Sequence, residues 1–292
     1  MKQKKIFALG FFDGVHLGHQ ALLSQCVQLA KQEQAMPVAV TFNLPPSAVL
    51  HDLQPNMINT RTDRQSLLLQ HGAEEIHVIT ATKSYLSYSW QDFLQTLLVR
   101  GAAGFVCGED YRFGRGGEGT AQKLSAFAAE RGLPCVILPE QTMDGEKISS
   151  TRIRTLLERG DVENANRMLG HPHIFTGKVV SGQKIGRTIG VPTANLKLPR
   201  ELVTPAFGVY ACTTILDGKK YLAVTNIGTR PTVNGNNVTV EPWILDFDGD
   251  LYGKEITLHF HNFLRPERKF DSLEELKAQI QRDAAKTRTL LK

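Results

Sequence analysis

Two short stretches in the first half place imidazoles, hydroxyls and guanidinium groups where phosphate chemistry would need them. In "GFFDGVHLGH" (residues 10–19), His16 and His19 lie three apart with Gly18 between them, directly after an apolar run. Two imidazoles at that spacing on a first helical turn point the same way and donate hydrogen bonds to phosphate oxygens. The free N–H groups of a helix N-terminus add to the same anion site. The pair also reads as helix-surface residues or part of a metal site, but HExxH is absent and no further ligands follow at metal spacing. In "ISSTRIR" (148–154), Ser149, Ser150 and Thr151 precede a helix carrying Arg152 and Arg154. The hydroxyls suit N-caps. Arginine in a first turn opposes the macrodipole unless an anion compensates, and its fork matches phosphate.

The second half has its own constellation. In "GKVVSGQKIGRTIGVPTANL" (177–196), the basic glycine-bearing loop with Gly182, Lys184, Gly186 and Arg187 lacks Walker A spacing, yet its N–H groups and cations suit phosphates. Thr193 and Asn195 are hard oxygen donors suited to Mg²⁺ carried by ATP, although "PTAN" alone also reads as a strand-entry turn. Glu241 sits among apolar strand formers, where a carboxylate is costly without a task or partner, and alternation also allows it to face outward. A carboxylate there suits deprotonation of an attacking hydroxyl in phosphoryl transfer. "FDGDLYG" lacks the EF-hand spacing and reads as a hairpin. The glycine-rich "FVCGEDYRFGRGGEG" (105–119) reads as a surface loop, or as backbone that approaches a ligand closely.

The elements that position these groups follow from periodicity. Up to about residue 170, short apolar strands alternate with amphipathic helices, ending in one closing helical segment over 149–170. This alternation predicts a parallel, doubly wound α/β sheet, with ligands beyond the carboxyl ends of its strands. From Thr176 onward, closely spaced β-rich stretches separated by turns predict an antiparallel barrel or sandwich, and Ser272 with Glu275 caps a terminal helix. The expected domains are residues 1–168 and 172–292, as a chain of 292 residues suggests. A net charge of +5 spread along the chain, without a basic aromatic-laced stripe, argues against a nucleic-acid surface. Four dispersed cysteines predict reduced thiols and a cytoplasmic protein. The basic start is followed by too short an apolar run for a signal peptide, and no stretch predicts a membrane span.

In chain order, "GFFDGVHLGH", "GEDYRFGRGGEG", "ISSTRIR", "GRTIGVPTAN", "GVYA", "NIGTRPT", "LDFDGDLYG" and "FLRPERKFDSLEEL" resemble the prokaryotic bifunctional riboflavin kinase/FAD synthetase (FMN adenylyltransferase) family. The resemblance implies a Rossmann-like nucleotidylyltransferase domain followed by a small antiparallel barrel with a terminal helix. It implies phosphorylation of riboflavin to FMN by ATP with Mg²⁺, then adenylylation of FMN to FAD with release of pyrophosphate. By the same resemblance the catalytic residues are Glu241 as kinase base, with His16, His19 and Arg154 for adenylyl transfer. ATP of the adenylyltransferase would meet Phe11, Asp13, Gly14, Gly18, Ser150 and Thr151 as well. Its flavin would meet Asn43, Gly108, Asp110 and Phe113. In the kinase, Thr193 and Asn195 would hold metal and ATP together with the basic loop, and Arg265 and Glu267 would meet the flavin. The family pattern has Pro-His-Pro after the second strand, where this chain has Leu44 and Pro45 in "TFNLPPSAVL"; many members also carry His where Trp243 follows Pro242. A proline there removes a ladder donor and predicts a bulge or an edge. The alternative reading is a riboflavin kinase with a weakened or inactive adenylyltransferase; a flavin-binding regulator without turnover is disfavoured because the phosphate-handling residues and Glu241 remain.

Overall fold

In the computed structural model, which describes residues 3–180, 190–232 and 235–292, the apolar runs of the first half form a parallel sheet. Contacts divide the chain into two units, Met1–Pro55 with Arg61–Ser150, and Asn56–Thr60 with Thr151–Lys292. The first unit begins β1 (Lys5–Leu9), α1 (Leu17–Gln32), β2 (Met36–Phe42), α2 (Pro46–Leu50), α3 (Arg61–Gln70) and β3 (Glu75–Ile79). It continues with α4 (Lys83–Leu86), α5 (Trp90–Val99), β4 (Ala102–Gly108), β5 (Arg112–Phe113), β6 (Gly119–Thr120) and α6 (Ala121–Ala129). It closes with β7 (Cys135–Leu138) and the small hairpin β8 (Thr142–Met143) and β9 (Glu146–Lys147).

The sheet order is β3-β2-β1-β4-β7, all parallel. Alternate residues point to opposite faces. Phe7, Leu9, Val38, Val40, Phe105 and Cys107 meet Phe93, Leu94 and Leu97 of α5 and Leu124 and Phe127 of α6 in one cluster. Helix α1 lies against β1, β2 and β4, and the Cys26 thiol donates to the Ile6 carbonyl. Strands covered on both faces read as continuous apolar runs, which is why "MPVAVTF" and "AAGFVCG" delimit β2 and β4 so cleanly.

The closing helical segment is two helices, α7 (Ser150–Glu158) and α8 (Val162–Leu169). Gly160 breaks them at φ +80°, where an added Cβ would meet the Ala206 Cβ at 3.2 Å. The expected domain boundary near residue 168 differs from the contact grouping, which falls after Ser150. The physical reason lies in the second unit: Ala206 N–H donates to Leu157 C=O, and Asn166 Nδ2 donates to Phe260 C=O at 2.8 Å.

The rest of the second unit is β10 (His173–Lys178), β11 (Leu196–Lys197), β12 (Gly208–Leu216), β13 (Lys219–Thr232), β14 (Gly235–Ile244), β15 (Glu255–Pro266) and the terminal helix α9 (Leu273–Leu290). The antiparallel order is β10-β15-β12-β13-β14-β11. Just beyond the two outer strands, Val180 N–H donates to Asn195 C=O at 2.8 Å, so the sheet nearly closes into a barrel. Val209, Ala211, Val224, Leu245 and Leu264 form a cluster there with Ala284 of α9. Ser272 caps α9, accepting from Glu275 N–H at 3.1 Å.

Candidate active sites

The sheet of the first unit sends its chain from β1 to β2 on one side and places β4 on the other. The crevice beyond the carboxyl ends of β1 and β4 is therefore its topological switch point, where ligands of such sheets bind. The "GFFDGVHLGH" turn leaves β1 at this place. Phe12 (φ 59°) and Val15 (φ 41°) adopt left-handed backbone, and Gly14 (φ 81°) completes a tight 3₁₀ turn over Asp13–Val15. The turn delivers His16 to the N-cap of α1, where its Nδ1 accepts from His19 N–H at 3.4 Å. The two imidazoles stack, with centroids 3.6 Å apart and planes at 16°. An added Cβ on Gly18 would lie 3.2 Å from His16 Cε1, so only glycine leaves the ring in place.

Burial, then His16 and Arg64 as nearby positive groups, hold His19 well below the usual imidazole range. Its Nδ1 is buried with no hydrogen-bond partner among the described residues. A helix N-terminus flanked by stacked imidazoles is an arrangement that can take an anion. Ser150, from "ISSTRIR", donates its hydroxyl to the Asp13 carbonyl at 2.8 Å, which joins the second motif to the turn. Thr151 and Arg154 follow on α7, where Arg154 Nη2 donates to Thr151 Oγ1 at 3.2 Å.

The expected flavin residues of this unit are distributed differently. Asn43 Oδ1 accepts from both Leu44 N–H and Ala81 N–H, tying the end of β2 to the segment after β3. Where the family has Pro-His-Pro, Pro45 precedes α2 and Pro46 opens it. Gly108 ends β4, and Asp110 forms an ion pair with Lys147 at 2.8 Å. Phe113 is in the core, against Phe93 and Tyr111. The glycine-rich stretch is a structured hairpin, β5 paired with β6. Arg64 was missed by motif reading. It is fully buried on α3 and donates to the Phe11, Phe42 and Asn43 carbonyls. Its signal was helical phase: Arg64 shares a buried face with Leu67 and Leu68, at i+3 and i+4.

In the second unit, β14 divides two cavities by the alternation of a strand. Glu241 and Trp243 line a cavity of about 310 Å³ with an apolar floor of Val209, Val224, Leu276 and Ile280. Pro242 and Ile244, on the opposite side, line a second cavity of about 420 Å³ with Asn195, Phe247 and Tyr252. Thr193 lines both. Ala194 N–H donates to Pro242 C=O at 2.9 Å, which clamps "PTAN" beside the carboxylate strand. Beyond the Leu196–Val240 pair β11 gives β14 no partner, so Pro242 sits at the expected edge without breaking register with β13. Thr239 Oγ1 donates to Glu241 Oε1 at 3.1 Å. Asn195 Oδ1 is buried without a hydrogen-bond partner among the described residues, a hard oxygen that suits a divalent cation.

Arg265 and Glu267 both line the Glu241 cavity. Arg265 engages Asp283 of α9, Nη2 to Oδ2 at 2.9 Å, while Glu267 Oε1 accepts from Asn226 Nδ2 at 3.3 Å. The "LDFDGDLYG" segment, expected only as a hairpin, supplies Phe247 to Tyr252 of the other cavity wall. Gly182, Lys184, Gly186 and Arg187 lie outside the described residues.

Sequence-family comparison matches the FAD synthetase family over residues 1–152 and the riboflavin kinase family over residues 169–291. The chain is similar to the bifunctional riboflavin kinase/FMN adenylyltransferase of Listeria monocytogenes, 37% identical over 97% of this chain and 91% of the relative. The relative of the same name in Escherichia coli K12 is 37% identical over 95% of this chain and 90% of its own length. A solved Streptococcus pneumoniae structure, described as a macrolide-efflux protein, covers 99% of this chain and 95% of its own at 33% identity and TM-score 0.89. Among the described residues, no helix is long and apolar enough to cross a membrane.

Proposed function

Because the chain belongs to the bifunctional riboflavin kinase/FMN adenylyltransferase family, we infer that its two units carry out the two steps in turn. The protein is a transferase that phosphorylates riboflavin to FMN and adenylylates FMN to FAD, acting on ATP with a divalent metal ion. No comparison favours an inactive adenylyltransferase half. The observation that carries the assignment of sites is the division of β14. Its Glu241 side faces a cavity with an apolar floor and a polar, charged rim, its Pro242 side a cavity beside "PTAN", and Thr193 lines both.

In the kinase, the terminal ribityl hydroxyl of riboflavin enters from the Glu241 side. Glu241 takes its proton as the oxygen bonds to the γ-phosphorus and ADP leaves. Thr193 and Asn195 are the oxygen donors suited to Mg²⁺, which neutralises phosphate charge when bound. In the adenylyltransferase, an FMN phosphate oxygen attacks the α-phosphorus of ATP and pyrophosphate leaves. His16, His19 and the Ser150 turn hold the phosphates, with Arg154 following on α7, so no covalent intermediate is needed. The four cysteines are unbridged, and burial raises each thiol pKa, which supports a reduced cytoplasmic protein.

The purified chain, given riboflavin, ATP and Mg²⁺, is expected to yield FMN first and FAD plus pyrophosphate afterwards by chromatography. FMN accumulating without FAD would leave only the kinase half of this reading.

A further inference from the structure

We propose that Arg64 is a positioning residue for adenylyl transfer, fixing the turn ahead of His16 and lending a positive charge without a bonded carboxylate to the phosphate end of the sheet. The reading rests on placing ATP at the His16–His19 turn. Arg64 has no solvent exposure, and its Nη1 donates to Phe11 C=O at 3.1 Å. Its Nη2 donates to Phe42 C=O at 2.7 Å and reaches Asn43 C=O at 3.5 Å. Phe11 C=O also accepts from the Thr41 hydroxyl at 2.8 Å, and the Phe11 ring lies 4.5 Å under the guanidinium. One side chain thus joins the turn that carries the imidazoles to the loop that carries Asn43.

Carbonyls alone do not call for a cation. Neutral donors satisfy them, and burying an unpaired charge costs several kcal/mol. Yet among the described residues Arg64 has no carboxylate at ion-pair distance, and its Nε has no partner. Asp13 favours the cation through space without bridging to it, and Arg61 opposes it. Burial lowers the guanidinium to about 10, so it stays charged at neutral pH. Within the protein the charge is met by carbonyl dipoles, a ring and the through-space field of Asp13, without a bonded carboxylate, which leaves it attractive to an anion. The triphosphate of ATP is that anion, and in a water-poor crevice the attraction is far stronger than at a surface.

The test uses the full chain with Arg64→Met and Arg64→Lys, measuring FMN adenylylation and riboflavin phosphorylation in the same preparations, with His19→Ala alongside. Arg64→Met is expected to lower kcat/KM for ATP in adenylylation about 100-fold, the scale for removing one preorganised phosphate-directed charge. Phosphorylation should stay within about twofold, because its site lies in the other unit and no charge there changes. Arg64→Lys keeps the charge and should recover roughly tenfold of the loss, chiefly through KM for ATP. Equal defects in Met and Lys variants, no adenylylation defect in the Met variant, or parallel loss of both activities would each overturn the proposal. Normal adenylylation by His19→Ala would instead overturn the placement of ATP at the histidine turn, a failure the Arg64 variants do not mimic.

Discussion

At the residue scale, the two imidazoles are given different states by their surroundings. His16 turns its Nδ1 to the backbone, accepting from His19 N–H at 3.4 Å. His19 is kept neutral by burial and by the positive groups beside it. Gly18 holds the pair together through what it lacks. Gly18→Ala should push the His16 ring by a few tenths of an ångström and reduce FMN adenylylation about tenfold, with riboflavin phosphorylation unchanged. Assaying both reactions on one preparation checks this, and an unaffected adenylylation rate would show that the ring's position is unimportant. His16, His19, Ser150 and Thr193 stood out as candidates because each belongs to a short motif of unusual composition, and Glu241 because a carboxylate is costly among apolar strand formers. Arg64 and Trp243 did not, since their roles come from burial and from which side of a strand they occupy.

At the element scale, β14 and α9 shape the cavity that holds Glu241. The helix is fastened to β15 by Arg265 and Asp283, both largely buried, with Gln279 Nε2 donating to Asp283 Oδ1 at 2.8 Å. Asp283→Ala leaves a buried guanidinium unpaired and should cost about 3–5 kcal/mol in the second unit. It should also raise KM for riboflavin more than KM for ATP, because Leu276 and Ile280 of the same helix floor the Glu241 cavity alone. Equal effects on both KM values would argue against that division. Strong periodicity made most elements readable: β2, β4 and β12 match their apolar runs residue for residue. Two-residue strands such as β5 and β6 carry no period to detect. The break between α7 and α8 rests on a single glycine whose surroundings are set by the barrel.

At the scale of the molecule, each unit carries buried or half-buried histidines held below their ordinary range. Burial pushes His173 down to about 3 and His261 to about 4, and lowers His19 and His77 as well. An unfolded chain binds protons at these rings below about 6.5, whereas the folded chain does not. Stability is therefore present above that pH and is lost as pH falls from about 6.5 towards 4. His173 alone should contribute about 2 kcal/mol of loss by pH 5. Urea melts at pH 7.5 and 5.0 check this, and equal midpoints would contradict it. Two units of different architecture were visible as a change of texture near residue 170. The packing of α7 and α8 was not, because amphipathicity says that a helix is covered and leaves open by what.

The central claim is that one chain holds two separate phosphate-chemistry sites, one at His16–His19 and one at Glu241. The most direct measurement follows products by chromatography from His19→Ala and Glu241→Gln, each given riboflavin with ATP and, separately, FMN with ATP. His19→Ala should make FMN at the wild-type rate and accumulate it, with FAD formation reduced at least about 100-fold. Glu241→Gln should make almost no FMN yet convert supplied FMN to FAD normally. Loss of both reactions in either variant, or retention of both, would contradict the account.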